Sequence, residues 1–290
     1  GIRRAIPEFA DLCRAHGKLL LVDGAHGAHF PAVGLPTPVA EGADMAVLSM
    51  HKTLPCMGQG AVLLSAAGVN RRALRENTML FGTSSPSYPI MASIDLARAY
   101  TEGPGQAEYR RSAETCAELR AYVQHRTMFT ALTEDHFPAL DPCRLTVCTA
   151  GTDITGHQLA VGECGVACEM ADDRNVVFIL TGSDPNGAIS RLKRGLRRIS
   201  RRRELIPLPS LSAPFPPAER VMSVRDAWFS QTGRVQPAAA EGLVCARPVT
   251  PYPPGVPLLW PGEKITGAHI ALIRERWYNT IDEITVVVHQ

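Results

Sequence analysis

Hydrophobic positions in this chain fall into two kinds of run. Compact apolar stretches at 18–22, 44–49 and 60–65 each end abruptly at polar or ionisable residues. That is the pattern of buried parallel strands delivering side chains to a site at their carboxyl ends. The helical runs differ in period. Ile6, Phe9, Ala10 and Cys13 recur at helical spacing, with Pro7 tolerated in the first turn. A helix is predicted over 89–101, begun near Pro89, and a long one over 104–126 with Tyr109, Ala113, Cys116, Leu119 and Val123 on one stripe. Beyond it, strands are predicted at Arg144 to Cys148 and Asn175 to Leu180, with helices near 156–164 and 186–200. Pro207 to Pro217 holds five prolines and no period, so it reads as a linker. The rest carries a second proline-rich loop at 248–261, a helix near 267–277 and a terminal strand at Ile284 to Val288. There is no internal repeat.

The ends of the first two strands carry the chemistry. One run continues into Asp23-Gly24-Ala25-His26, the other into Ser49-Met50-His51-Lys52-Thr53-Leu54-Pro55. A carboxylate and a lysine at neighbouring strand ends are what a pyridoxal phosphate enzyme needs. The lysine forms the Schiff base, and the carboxylate keeps the ring nitrogen protonated. Pro55 disfavours helix at residue 54, which fixes the turn behind Lys52. His26 is placed to bond the carboxylate or a cofactor oxygen, and Ser49 and His51 flank the lysine as candidate phosphate partners. Taken singly, an Asp after a strand is commonly a cap and a Lys a solvated charge. Asp23, His26 and His29 also form a D-x-x-H-x-x-H spacing suited to zinc or iron. A metal reading leaves Ser49 to Lys52 without a role, so no metal is expected.

Four segments in order resemble the Orn/Lys/Arg decarboxylases, pyridoxal phosphate enzymes of the aspartate aminotransferase fold type. They are VDGAHGAHF at 22–30, GADMAVLSMHKTLP at 42–55, GTSSPSYPIMASIDLAR at 82–98 and YPPGVPLLWPGEKIT at 252–266. The resemblance implies that Asp23 pairs with the pyridine nitrogen, Ala25 packs against a ring face and Lys52 carries the cofactor. It further implies that Ser49 and His51 contact the phosphate, and that Thr83, Ser84 and Ser85 approach a phosphate, often that of a partner subunit. Gly24 stands where the family usually has Glu, which leaves Asp23 and His26 in place. Only one helix-like stretch precedes the Asp23 strand, and the first residue is Gly rather than Met. The family's upstream phosphate loop and ring-stacking residue are not visible, so the sequence reads as part of a longer enzyme.

Composition narrows the remaining classes. With 290 residues, 45% hydrophobic and 20% charged, the chain can fold as one or two domains. A net charge of +2 argues for neither a nucleic-acid nor an anionic-membrane partner. The basic cluster Arg191 to Arg203 is threaded by Ile189, Leu192, Leu196 and Ile199, and reads as an amphipathic helix without the aromatic platforms of RNA binders. Eight cysteines show no C-x-x-C pair. Free thiols in a reducing cytoplasm are expected. No apolar run reaches the roughly 18 residues of a membrane span.

The expected fold is α/β, a partial fold type I transferase sheet followed by two smaller parts. Residues 1–126 form the partial cofactor-binding domain, 127–206 a small α/β domain, 207–217 a linker and 218–290 a C-terminal α+β domain. The expected function is decarboxylation of arginine, lysine or ornithine to the amine, as in polyamine biosynthesis, by a cytoplasmic homodimer or higher oligomer. Three alternatives stay open: another fold type I reaction such as transamination or aldol cleavage, a non-catalytic fragment, and a metal-dependent hydrolase built on Asp23, His26 and His29.

Overall fold

The structure is a computed structural model, and it describes residues 1–137, 139–161, 165–182, 186–207, 215–251, 255–276 and 281–288. The chain divides into two compact units, Gly1–Pro207 and Leu208–Gln290. The first begins with helix α1 (Ile6–Ala15), with its proline in the first turn, and strand β1 (Leu21–Asp23). Strand β2 (Met45–Ser49), the single-turn helix α2 (Met50–Thr53) and strand β3 (Ala61–Ser65) follow.

The small sheet has the order β1-β2-β3. β1 and β2 run parallel with Asp23 opposite Val47, whereas β3 is antiparallel to β2. The expectation of a third parallel strand is therefore corrected. Only residues 50–60, including α2, lie between β2 and β3, fewer than the crossover of a dozen or more residues that a parallel return requires. That tight return includes Gln59 in the left-handed region, at φ 72°.

The three strands are also not buried on both faces. Val62, Leu64 and Leu48 pack with Ile94, Ala97, Tyr100 and Tyr109. The opposite face carries Leu21, Val47 and Leu63, which are 64%, 46% and 44% exposed. The unbroken apolar run thus conceals an ordinary alternation. Every second residue meets the helices, and the other face of the sheet lies open in this chain.

Helices α3 (Arg71–Phe81), α4 (Tyr88–Glu102) and α5 (Gly105–Arg126) come next. α3 was not foreseen. It buries no residue in this chain, and its start is fixed by Asn70 accepting the Ala73 N–H. α5 has Tyr109, Cys116, Leu119 and Val123 buried as predicted.

Strands β4 (Thr130–Ala131) and β5 (Arg144–Cys148), helix α6 (Gly156–Val161), strands β6 (Met170–Ala171) and β7 (Asn175–Ile179), and helix α7 (Asn186–Ser200) build a second, antiparallel sheet of order β4-β5-β7-β6. Its core joins Leu145, Val147, Val176 and Phe178 to Leu119 and Val123 of α5 and to Leu192, Leu196 and Ile199 of α7. The basic helix is therefore amphipathic. The expected end of α6 at 162–164 lies outside the described residues, as do residues 208–214 of the linker and 252–254 of the later proline-rich loop.

The second unit contains α8 (Val224–Phe229), β8 (Thr232–Val235), α9 (Gly267–Arg276) and β9 (Ile284–Val287). β8 and β9 pair antiparallel. A core of Cys245, Leu258, Leu259, Ile265, Ile270, Ile273, Ile284 and Val286 holds them with α9. Among the described residues no helix is long and apolar enough to cross a membrane.

Candidate active site

Parallel pairing brings the carboxyl ends of β1 and β2 to the same edge of the sheet. The pairing runs one step past the strands, with the Gly24 N–H donating to the Val47 carbonyl at 2.9 Å and the Ser49 N–H to that of Ala25 at 3.3 Å. After Ala25 the chain turns, closed by Gly27 N–H to the Gly24 carbonyl at 2.8 Å. After Ser49 it winds through α2, and Leu54 returns to extended backbone at φ −122°, ψ 159°, as the following proline demands. The Tyr109 hydroxyl on α5 donates to the Thr53 carbonyl at 2.5 Å, which anchors the turn carrying Lys52.

A cavity of about 730 Å³ opens at this edge, and Asp23, Ala25, His26 and Lys52 line it together with Asp141 and Arg144. Asp23 Oδ1 accepts the Ala25 N–H at 3.0 Å, which sets the carboxylate on the cavity rim. His26 Nε2 stands 3.4 Å from Lys52 Nζ. Four expected site residues are thereby assembled from two chain segments. Ser49 and His51 lie beside them without lining the cavity, and the His51 ring Nδ1 bonds the Gly60 carbonyl at 3.0 Å. Thr83, Ser84 and Ser85 are exposed between α3 and α4 and do not line it either.

Gly24 has a local physical reason. A Cβ there would meet Leu48 Cδ2 at 2.8 Å, the Val47 carbonyl oxygen at 3.4 Å and Pro38 Cγ at 3.5 Å. The strand edge packs closely enough that a side chain would force the buried Leu48 side chain to shift.

Two residues of the site were missed from the sequence. Asp141 and Arg144 are 3% and 8% exposed, and Arg144 Nε donates to Asp141 Oδ2 at 2.8 Å. Asp141 Oδ1 is shared by His29 Nε2 at 3.0 Å and the Cys143 N–H at 2.9 Å. Arg144 Nη2 lies 2.8 Å from His26 Nδ1. The overlooked signal is an arginine opening the apolar strand Arg144 to Cys148, three residues after an aspartate. A charge in such a strand must be paired.

Burial works against the Asp141 carboxylate, but the His29 hydrogen bond, the charges of His29 and Arg144 and the Cys143 N–H together hold its pKa below the ordinary 3.8. For His26, burial first, then Arg144 and Lys52, lower the pKa below 6.5 against the opposing pull of Glu169 and Asp23. His26 is therefore neutral at neutral pH.

The geometry gives the alternative metal reading no support. His29 points into the core at Asp141 while His26 faces Lys52 and Arg144, so Asp23, His26 and His29 share no centre. Among the described residues, the ligand atoms that do converge, within 4.8 Å, belong to His29, Asp141 and Cys143. That set suits a cation poorly. The Arg144 guanidinium occupies the other Asp141 oxygen, and burial pushes the Cys143 thiol up and away from the thiolate a metal needs.

Comparison with known proteins decides the family. The major-domain model of the Orn/Lys/Arg decarboxylases matches residues 5–134, and the model of their C-terminal domain matches 214–276. The chain belongs to the Orn/Lys/Arg decarboxylase family. It is similar to the YaaO protein of Bacillus subtilis, 32% identical over 87% of this chain and 54% of that one. An arginine decarboxylase of Halalkalibacterium halodurans is 28% identical over 95% and 59%. In three dimensions the chain is similar to the lysine decarboxylase of Francisella novicida, with a TM-score of 0.72 at 18% identity, over 94% of this chain and 55% of that one. An alanine–glyoxylate aminotransferase from Nostoc gives a TM-score of 0.51 at 18% identity over 69% of this chain and 58% of that one. The fold is thus the α/β fold of type I pyridoxal phosphate enzymes, present in part. The chain spans little more than half the length of these relatives.

Proposed function

We propose that this chain carries the Schiff-base lysine and the ring-nitrogen carboxylate of a pyridoxal phosphate-dependent decarboxylase acting on a basic amino acid. The observation that carries the reading is the convergence of Asp23, Ala25, His26 and Lys52 on one cavity at the carboxyl ends of β1 and β2. It is supported by family membership and by relatives named arginine and lysine decarboxylases. The donor set fits the group: a carboxylate on the rim for a pyridine nitrogen, the methyl side chain of Ala25, and an amine lining the same cavity. Pyridoxal phosphate, when bound, supplies an electron sink for the pair left behind as carbon dioxide departs.

This chain's residues do the rest. Lys52 would hold the cofactor through its amine, and Asp23 would keep the ring nitrogen protonated. Neutral His26 bridges the lysine and Arg144. In this reading residues 1–126 belong to the cofactor-binding domain and 127–206 to the small domain. Residues 207–217 join them to a C-terminal decarboxylase-type domain at 218–290. Ser49 and His51 serve the phosphate. Thr83, Ser84 and Ser85 serve that of a partner subunit, so the functional form is a homodimer or larger, at work in the cytoplasm.

Borohydride reduction in the presence of pyridoxal phosphate, followed by peptide mapping, tests the assignment. The cofactor is expected on Lys52, and an adduct on Lys18 or Lys193 instead overturns it. Product analysis with arginine, lysine and ornithine then selects among agmatine, cadaverine and putrescine. A keto acid or an aldehyde as product transfers the site to transamination or aldol cleavage. Mixing a Lys52→Ala chain with one altered at Thr83, Ser84 and Ser85 tests the shared site. Recovered activity is expected, and none, with heterodimers shown to form, overturns the crossing loop.

A further inference from the structure

The pair Asp141 and Arg144 lies in no segment by which the family was recognised, yet it lines the same cavity. A guanidinium has only donors to offer and does not lose its charge in proteins. Arg144 is fixed at both ends of its fork: Nε is held by Asp141 Oδ2 at 2.8 Å, and Nη2 reaches His26 Nδ1 at 2.8 Å and the His26 carbonyl at 3.4 Å. Asp141 is itself immobilised by His29 and by the Cys143 N–H. The main chain on either side is held too, because Arg120 Nη2 donates to the Asp141 carbonyl at 3.0 Å and the Arg144 carbonyl at 2.8 Å.

The consequence falls on the His26 ring. With a donor 2.8 Å from Nδ1, that nitrogen must be the acceptor. The single proton of the neutral ring then sits on Nε2, which faces Lys52 Nζ. Four charged or titratable side chains surround the ring: Arg144, Lys52, Glu169 and Asp23. Two of these compete with Arg144: the Glu169 carboxylate, with its Oε1 3.8 Å from Nδ1, and an ammonium on Lys52, which would donate to Nε2 over the longer distance of 3.4 Å. A proton on Nδ1 would suit Glu169, and one on Nε2 suits Arg144. The shorter, better-anchored contact is Arg144.

We infer that Arg144, braced by Asp141, is a positioning residue that holds the His26 proton on Nε2, so that His26 presents an N–H donor to Lys52 Nζ. A donor there completes a hydrogen bond only with a nitrogen offering its lone pair, the form in which a lysine attacks a carbonyl carbon. The tautomer of His26 does not depend on the Lys52 assignment, but its value to the site rests on the function proposed above.

The test is the ring itself. Nitrogen-15 NMR of histidine-labelled full chain at pH 7.5, with His26 assigned by His26→Gln, distinguishes a protonated from an unprotonated ring nitrogen. Wild type is expected to show Nε2 protonated and Nδ1 bare; a protonated Nδ1 overturns the inference at once. In Arg144→Met the proton is expected to move largely to Nδ1, towards Glu169. Arg144→Lys cannot hold Asp141 and His26 together, and as the gentler change it is expected to give a mixture of tautomers. A tautomer unchanged in the folded variants overturns the role of Arg144. Where Arg144→Met does not fold, the wild-type spectrum and Arg144→Lys decide. A second readout is pyridoxal phosphate trapped on Lys52 by borohydride in a fixed time, relative to Lys18 and Lys193 of the same molecule. It is expected to fall about threefold or more in the variants, and equal trapping overturns the coupling to Lys52. Trapping on a different lysine in wild type, with the tautomer as expected, would defeat the proposed function and leave the inference standing.

Discussion

The Tyr109 hydroxyl donates to the Thr53 carbonyl oxygen at 2.5 Å, so α5 grips the chain one residue after Lys52. Both partners are almost fully buried, at 2% and 3% exposure. Removing one member of such a pair leaves the other desolvated without a partner. Tyr109→Phe is therefore expected to cost about 1–3 kcal/mol. Urea unfolding checks it: the midpoint falls while the slope against denaturant stays the same. An unchanged midpoint would mean that the turn behind Lys52 is held by Pro55 and packing alone.

Asp23 is the opposite case, an exposed rim residue with little bearing on stability. Asp23→Asn keeps an oxygen for the Ala25 N–H but supplies no negative charge to a pyridinium. Under the proposed function, turnover of the basic amino acid is expected to drop roughly 100-fold, about 3 kcal/mol of transition-state stabilisation. Melting temperature should stay within the range of neutral surface changes. Steady-state kinetics beside a thermal melt separates the two, and near wild-type turnover would remove Asp23 from its role.

How much of this was legible in the sequence follows from what each residue contacts. Asp23 and Lys52 could be read because each ends an apolar run, and a charge at the end of a strand announces an edge. The long stripe of α5 was equally plain, since Tyr109, Cys116, Leu119 and Val123 meet the core at helical spacing. The direction of β3 was not, because apolar content says nothing about strand sense. That sense is set by the short connection at 50–60. Nor could the open face of the sheet be foreseen, as Leu21, Val47 and Leu63 look like core residues and are exposed in this chain. Arg144 escaped because its partners are distant in sequence. His26 lies 118 positions away, and no local period connects them.

Gly24 permits a test in which the sign of the effect decides. It does not adopt a positive φ, so replacing it by alanine would ordinarily stabilise the chain by about 0.4–1 kcal/mol through the unfolded state. The Cβ contact at 2.8 Å with Leu48 Cδ2 opposes this. Gly24→Ala is expected to be destabilised by about 1–2 kcal/mol, as overpacked cores are. Leu48→Val in the same molecule should recover part of that loss, a non-additivity that marks direct contact. Thermal melts of the two single variants and the double variant measure it. A Gly24→Ala protein more stable than wild type would show that the close approach relaxes freely.

Asp141 makes the acid limb of stability specific to one residue. Its folded pKa lies below the ordinary 3.8, so as pH falls the unfolded chain takes up this proton before the folded one does. The carboxylate's contribution is complete above pH 3.8 and is lost as pH falls through the lower, folded value. Asp141→Asn removes the charge that holds Arg144 and His29, and at pH 7 it is expected to be less stable by about 3–5 kcal/mol, the range for breaking a buried pair. The variant has no carboxyl at this position to protonate. Its deficit relative to wild type should therefore shrink below about pH 4, because only wild type continues to lose this contribution. Carboxylates that titrate alike in both proteins cancel in the difference. Urea unfolding of the two proteins at pH 7, 5, 4 and 3 supplies the measurement. A deficit that stays the same down to the lowest pH would mean that the Asp141 carboxyl is not held down by His29 and Arg144. The bracing of Arg144 would then have to come from its packing and not from its ion pair.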